Sequence, residues 1–143
     1  MKPVLKIPGA TVLRIGISLV FLWFGSQQFL HTEMWTSYIP QWVVDKSPVG
    51  PLTLVHINGA IEIIFGTALI LGFFTRVSAF VLTLHMAHIT TMVGYDSIGV
   101  RDFGLTIATF SIFLNGVDSL TLDRLVLGSS KKPVEAIPSN ERV

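Results

Sequence analysis

LTLVHINGAIEIIFGTALILGFF, residues 52–74, is an apolar run with one carboxylate, Glu62, close to its middle. A transmembrane helix takes about 20 mainly apolar residues, and this run supplies them. Its Leu, Ile, Val and Phe side chains favour insertion by about 0.3–0.6 kcal/mol each. A charge at bilayer depth opposes insertion by about 2.5–3.5 kcal/mol. The span therefore inserts, but with a margin that polar partners for Glu62 would widen. Such a residue marks a functional site, or else a group paired or protonated within the packing of the bundle.

Working outward, three further runs have the same character: TVLRIGISLVFLWFGSQQFL (about 11–30), RVSAFVLTLHMAHITTMVGY (about 76–95) and RDFGLTIATFSIFLNGVD (about 101–118). With the second span at about 52–72, they predict an all-α fold, an integral membrane four-helix bundle occupying residues 1–127. The last run is the weakest, because Thr106, Thr109, Ser111 and Asn115 interrupt it. The first is expected to be a retained helix, since its apolar stretch exceeds that of a signal peptide and no small-residue cleavage site follows. Residues 128–143, GSSKKPVEAIPSNERV, have no apolar periodicity and are expected to form a mobile cytoplasmic tail.

Composition agrees with the lipid bilayer as the chain's main partner. Half of the 143 residues are hydrophobic, 13% are charged and the mean hydropathy is +0.65. A soluble domain carries about a quarter charged residues. A net charge of +1 without a basic run speaks against nucleic acid. With no cysteine, thiolate catalysis, disulfide relays and Cys-ligated zinc or iron–sulfur centres are excluded.

Two short turns, Gly72–Thr75 and Asp96–Gly99, join the last three spans. Residues 31–51 form a longer surface link whose Trp35, Tyr38 and Trp42 read as interface anchors or, alternatively, as a lid. If the N-terminus is cytoplasmic, eight of the ten Lys and Arg residues fall on the cytoplasmic side, and only Lys46 and Arg101 fall on the other. The positive-inside bias predicts a cell-membrane protein with both termini cytoplasmic.

This orientation collects the polar residues toward the outer leaflet: Gln27, Gln28 and His31 on the first span, His56, Asn58 and Glu62 on the second, His85 and His88 on the third, Arg101 and Asp102 opening the fourth. Arg14 stands nearer the inner boundary, within snorkelling reach. Helical spacing puts Arg14, Ser18, Phe21, Gly25 and Gln28 on one face, and Gly59, Glu62 and Gly66 on another. Polar stripes of this kind prefer the bundle interior. A cavity open to the outer side follows, with Glu62, His56, Asn58, His85, His88, Arg101 and Asp102 as candidate ligand-binding residues. The blander reading is that the glycines only allow close packing and the amides only bond between helices.

His85 and His88, with Glu62 and His56, also offer nitrogen and oxygen ligands for zinc, iron or copper. His-x-x-His pairs arise readily by chance, however, and proton exchange with a ligand suits imidazole equally well. A purely structural network is the third option.

VLRIGISLVFLWFGSQQFL (12–30), NGAIEIIFGTALILGFFTR (58–76), the RDFGL that opens the fourth span (101–105) and SLTLDRL (119–125) together resemble the DoxX family. The resemblance runs over about residues 10–127, and its family-like positions are Arg14, Glu62, Arg76, Arg101, Asp102, Asp123 and Arg124. It implies a four-helix bacterial or archaeal membrane protein. The wider group includes the membrane subunit of thiosulfate:quinone oxidoreductase. His85 and His88 are not carried over from the family, and no recognised sulfur-handling motif is present. The resemblance makes a quinone the candidate cofactor and a soluble or membrane redox subunit the candidate partner, with electrons supplied by that partner. A small-solute transporter and a structural membrane partner remain the alternatives, and the oligomeric state stays open.

Overall fold

A computed structural model describes residues 8–118 and 120–128. Within them the regular elements are helices: α1 (Gly9–Leu30), α2 (Thr32–Thr36), α3 (Gln41–Lys46), α4 (Pro51–Leu71), α5 (Thr75–Val93), α6 (Ser97–Asn115) and α7 (Leu122–Gly128). Apart from Gly128, the expected tail lies outside the described residues. The protein is an all-α membrane protein. Three helices are long and apolar enough to cross a membrane: α1 with a mean hydropathy of 1.5, α4 with 1.8 and α6 with 1.3. The weakest run is therefore α5 and not, as the sequence suggested, α6. At 19 residues α5 matches α6 in length, but Arg76, Ser78, Thr83, His85, His88, Thr90 and Thr91 lower its hydropathy.

The four long helices pack as two pairs, α1 on α4 and α5 on α6, which meet along α4–α5 and α1–α6. Arg14, Ser18, Phe21, Gly25 and Gln28 are all buried along α1, as the 3.6-residue period requires. On α4 the buried stripe is Val55, Gly59, Glu62, Gly66 and Leu69. The two stripes meet at glycines. A Cβ at Gly25 would stand 2.9 Å from the Gly59 carbonyl oxygen, and one at Gly59 would stand 3.1 Å from that of Gly25. The apolar core beside this crossing is Ile17, Phe21, Leu69, Ala79, Leu82, Met86 and Ile112.

Terminus chemistry sets the helix lengths. Pro51 opens α4 at its first turn, where a missing N–H costs nothing. Gly72, at φ 69°, closes it in the left-handed conformation, with Phe73 N–H bonded to Ala68 O at 2.9 Å. A side chain at Gly72 would also strike Thr121 at 2.6 Å. Asp96 caps α6, its Oδ1 accepting from Ile98 N–H and Gly99 N–H at 2.8 Å each. This cap moves the start of α6 to Ser97, one turn before the expected Arg101. Arg101 and Asp102 consequently stand in the second turn, and Asp96 is the residue that meets the helix N-terminus. The 31–51 surface link is itself partly helical, since α2 and α3 both form within it.

Candidate functional site

Glu62 is 3% exposed and faces the bundle interior. Gln28 donates to its Oε2 at 2.8 Å, Asn58 Nδ2 lies 3.4 Å from its Oε1, and Asn58 also donates to Gln28 Oε1 at 2.7 Å. Three side chains from α1 and α4 thus close a ring that fixes both carboxylate oxygens. From α5, His85 brings Nε2 to 3.7 Å from Glu62 Oε1. That is too long for a firm hydrogen bond, and Nε2 is buried with no other partner. The Gly25–Gly59 crossing is what brings Gln28 within reach, because no bulkier pair would let α1 and α4 approach so closely.

These groups line one end of a cavity of about 350 Å³ between the two helix pairs. Asp102, its side chain 4% exposed, and Arg101, 47% exposed, reach the same cavity from α6. Arg101 Nε donates to Asp102 Oδ1 at 2.8 Å, and its guanidinium lies over the Phe24 ring at 4.9 Å. The remaining walls are apolar, chiefly Val55, Ile61, Met86, Ile89, Met92 and Ile98. Trp35, Tyr38, Ile39, Pro40 and Val43 of the α2–α3 link close the end away from the core. Trp35 packs edge-on against Phe24 with centroids 5.7 Å apart, and its Nε1 is buried without a partner. The link therefore covers the cavity with Trp35 and Tyr38, whereas Trp42 stays outside it at 53% exposure.

Of the seven candidate residues, Glu62, Asn58, His85, His88, Arg101 and Asp102 line this cavity. His88 does so from an exposed position at its edge. His56 does not line it. Its ring stacks on Phe29 at 5.1 Å and its Nε2 meets Thr32 Oγ1 at 3.0 Å on the outside of α4. Two residues from Asn58, it points to the other side of the same helix. Among the described residues no three His, Asp or Glu side chains group to hold a metal ion. Gln28, Phe24, Trp35 and Tyr38 are cavity residues that the candidate set lacks. Gln28 was visible as part of the buried stripe and Phe24 lies on the same helix, whereas Trp35 and Tyr38 depend on how the link folds back.

The opposite end of the bundle is tied by Arg14. Its side chain is 1% exposed and points inward, which overturns the snorkelling expectation. Nε donates to Asp118 Oδ2 at 2.7 Å, Nη1 to the carbonyls of Leu69 and Ile70 at 2.8 and 2.7 Å, and Nη2 to Leu120 O at 2.9 Å. The guanidinium thus satisfies the Ile70 carbonyl in the last turn of α4 and adds a second donor to Leu69 O, which also accepts from Gly72 N–H. Asp123 caps the start of α5, accepting from Phe74 N–H at 2.8 Å and Thr75 N–H at 2.7 Å. Burial pushes the Asp118 carboxyl up, but bonds from Arg14 and Leu120 N–H outweigh it and hold the group below the ordinary 3.8. Asp123 is likewise held below 3.8, the bonds from Thr75 and Phe74 overcoming its burial.

An all-α membrane bundle with a polar ring at one end and an arginine tie at the other defines the class of this protein. The sequence model of the DoxX family matches residues 9–95, more than half of the chain, and the protein belongs to that family. The match spans α1 to α5 and includes Arg14, Glu62 and Arg76, and it stops short of Arg101, Asp102, Asp123 and Arg124. No match was found among curated proteins or solved structures.

Proposed function

We propose that this DoxX protein is the membrane subunit of a quinone-linked redox complex, and that its cavity holds a quinone, or an amphipathic molecule of that kind, by the head. The observation that carries this reading is the division of one cavity into an apolar slot and a polar end built from Gln28, Asn58, Glu62, His85 and Asp102. Ligand pockets of this make-up bind flat, mainly apolar molecules and orient them through a few polar contacts. Two buried nitrogens at the cavity, His85 Nε2 and Trp35 Nε1, have no partner within the protein. Leaving such a donor unsatisfied costs about 1–3 kcal/mol, which a ligand carbonyl would offset.

A quinone supplies a two-electron, two-proton couple. The electrons come from a separate redox subunit. Glu62, held by Gln28 and Asn58, and His85 beside it exchange the protons at the ligand oxygen. Arg101 stabilises negative charge developing there, and Asp102 orients the guanidinium. In this reading α5 also spans the bilayer, as the third of four spans, both termini are cytoplasmic, and the cavity lies in the outer half of a prokaryotic cell membrane. Three-residue turns at both ends of α5 support its crossing, since they return the chain along the length of α4 and α6. Purification in mild detergent followed by mass spectrometry of extracted lipids tests the function. A near-stoichiometric quinone, lost from Glu62→Gln, is expected. A stable bundle without quinone, or one that retains a polar solute instead, overturns it.

A further inference from the structure

We infer that the cavity opens sideways between α4 and α5, and that the isoprenoid tail of its ligand leaves through this portal into the lipid. The inference rests on the quinone reading. About 350 Å³ is near the lower end of ligand pockets, which run from about 300 to 1,000 Å³. It accommodates a quinone ring and little of a long tail, so a tail must pass a wall.

Of the four helix seams, two are closed by backbone contact and a third is lined by a charge. Along α1–α4, Gly25 and Gly59 bring the backbones together, leaving no room even for a methyl group. Across α1–α6, the Arg101 guanidinium lies over the Phe24 ring and is itself 47% exposed, so a hydrocarbon tail leaving there would have to pass a charge. Where α5 turns into α6, Gly99 rests directly on the Gly94 carbonyl. The α2–α3 link roofs the cavity, and buried Phe21 and Leu82 lie beneath it.

The α4–α5 seam differs. Ile57 of α4 lines the cavity and is 49% exposed, and His88 of α5 lines it and is also exposed. Both stand about one helical turn beyond the Glu62–His85 pair, counted away from the turn that joins the two helices. Closer to that turn the same seam is sealed, since Leu69, Ala79 and Leu82 are 0% exposed. The opening is thus confined to the level of the polar ring. Its Ile57 side is apolar and faces outward from the bundle, where a hydrocarbon tail passes without desolvating polar groups.

The chain has no cysteine, so Ile57→Cys gives a single labelling site that can be filled after folding. The variant in lipid nanodiscs is modified with a bulky methanethiosulfonate. Binding is then measured for 2,3-dimethyl-1,4-naphthoquinone, which has no tail, and for a menaquinone with a four-isoprene tail. Blocking the portal is expected to weaken the tailed quinone about tenfold or more. The tailless one should lose at least about threefold less than the tailed one, and removing the label should restore both. Equal loss of both probes, or loss of neither, overturns the portal. Failure of the unmodified protein to bind either probe instead removes the quinone reading on which it stands.

Discussion

Replacing Arg14 by methionine should be among the most damaging single changes outside the cavity. The guanidinium is 1% exposed, and it ties three parts of the chain: α1, the end of α4, and the Asp118–Leu120 segment. Methionine keeps an apolar side chain of similar length but leaves Asp118 without its counter-charge and the Ile70 carbonyl without its donor, while Leu69 O keeps only the Gly72 N–H. Breaking one side of a buried ion pair costs about 3–5 kcal/mol. The lost bonds to carbonyls overlap with that figure, because water at the bundle end replaces part of them. An expected loss of about 3–5 kcal/mol follows. Arg14→Lys keeps the charge but cannot fork toward acceptors on both α4 and the segment after α6. It should lose about 1.5–3 kcal/mol, the worth of a charged hydrogen bond. Unfolding in mixed micelles, followed by helical circular dichroism, measures both. In a double-mutant cycle with Asp118→Ala, the combined loss should fall short of the sum by more than about 1 kcal/mol. A loss below about 1 kcal/mol for Arg14→Met is what a solvent-reaching arginine gives, and that result, or strict additivity with Asp118→Ala, would refute the buried tie.

Glu62→Gln should leave the bundle assembled while abolishing quinone retention, and Glu62→Leu should lower stability by about 1–3 kcal/mol by stranding Gln28 and Asn58; a spin label at residue 62 that reports lipid contact refutes both. Asp102→Asn should loosen Arg101 from its 2.8 Å bond and weaken both thermal stability and ligand retention, with unchanged melting and unchanged retention removing the pair from the site. Because the Asp118 and Asp123 carboxyls are held below the ordinary 3.8, their contribution is present above that pH and is lost as pH falls through the lowered values. Melting curves should therefore drop below about pH 4, and Asp118→Asn with Asp123→Asn should flatten this acid limb; an unaltered limb counts against the assignment. Reporter fusions after residues 45, 74, 98 and 130 should read out, in, out and in. Any other order breaks the orientation.

The interior faces were legible because a 3.6-residue period in an apolar background leaves little choice. Every member of the Arg14-to-Gln28 stripe is buried, and Glu62 and His85 meet as their depths suggested. His56 was misjudged by depth alone. It is level with Asn58, but two positions apart on a helix means opposite faces, and that geometry was already in the sequence. The start of α6 was ambiguous because Asp-Ser-Ile-Gly carries residues common to turns and to helix caps. Arg14 was legible in its face but not in its partner. Its guanidinium is held by a carboxylate 104 residues away, and such a pairing leaves no local signal. The same holds for Trp35, whose place over the cavity depends on the path of the α2–α3 link.

The Asp123 cap also bears on how the protein is made. The amides that open α5 are closed by a carboxylate 48 and 49 residues further along the chain. A ribosome delivers α5, the least apolar of the long helices, well before it delivers its cap, and the Asp118 partner of Arg14 arrives just as late. The first three long helices must therefore wait with a free helix end and an uncompensated arginine until the segment after α6 emerges. Completion of the bundle waits for the segment that follows α6, so truncation shortly before Asp118 should leave a chain that inserts but is cleared by membrane proteases.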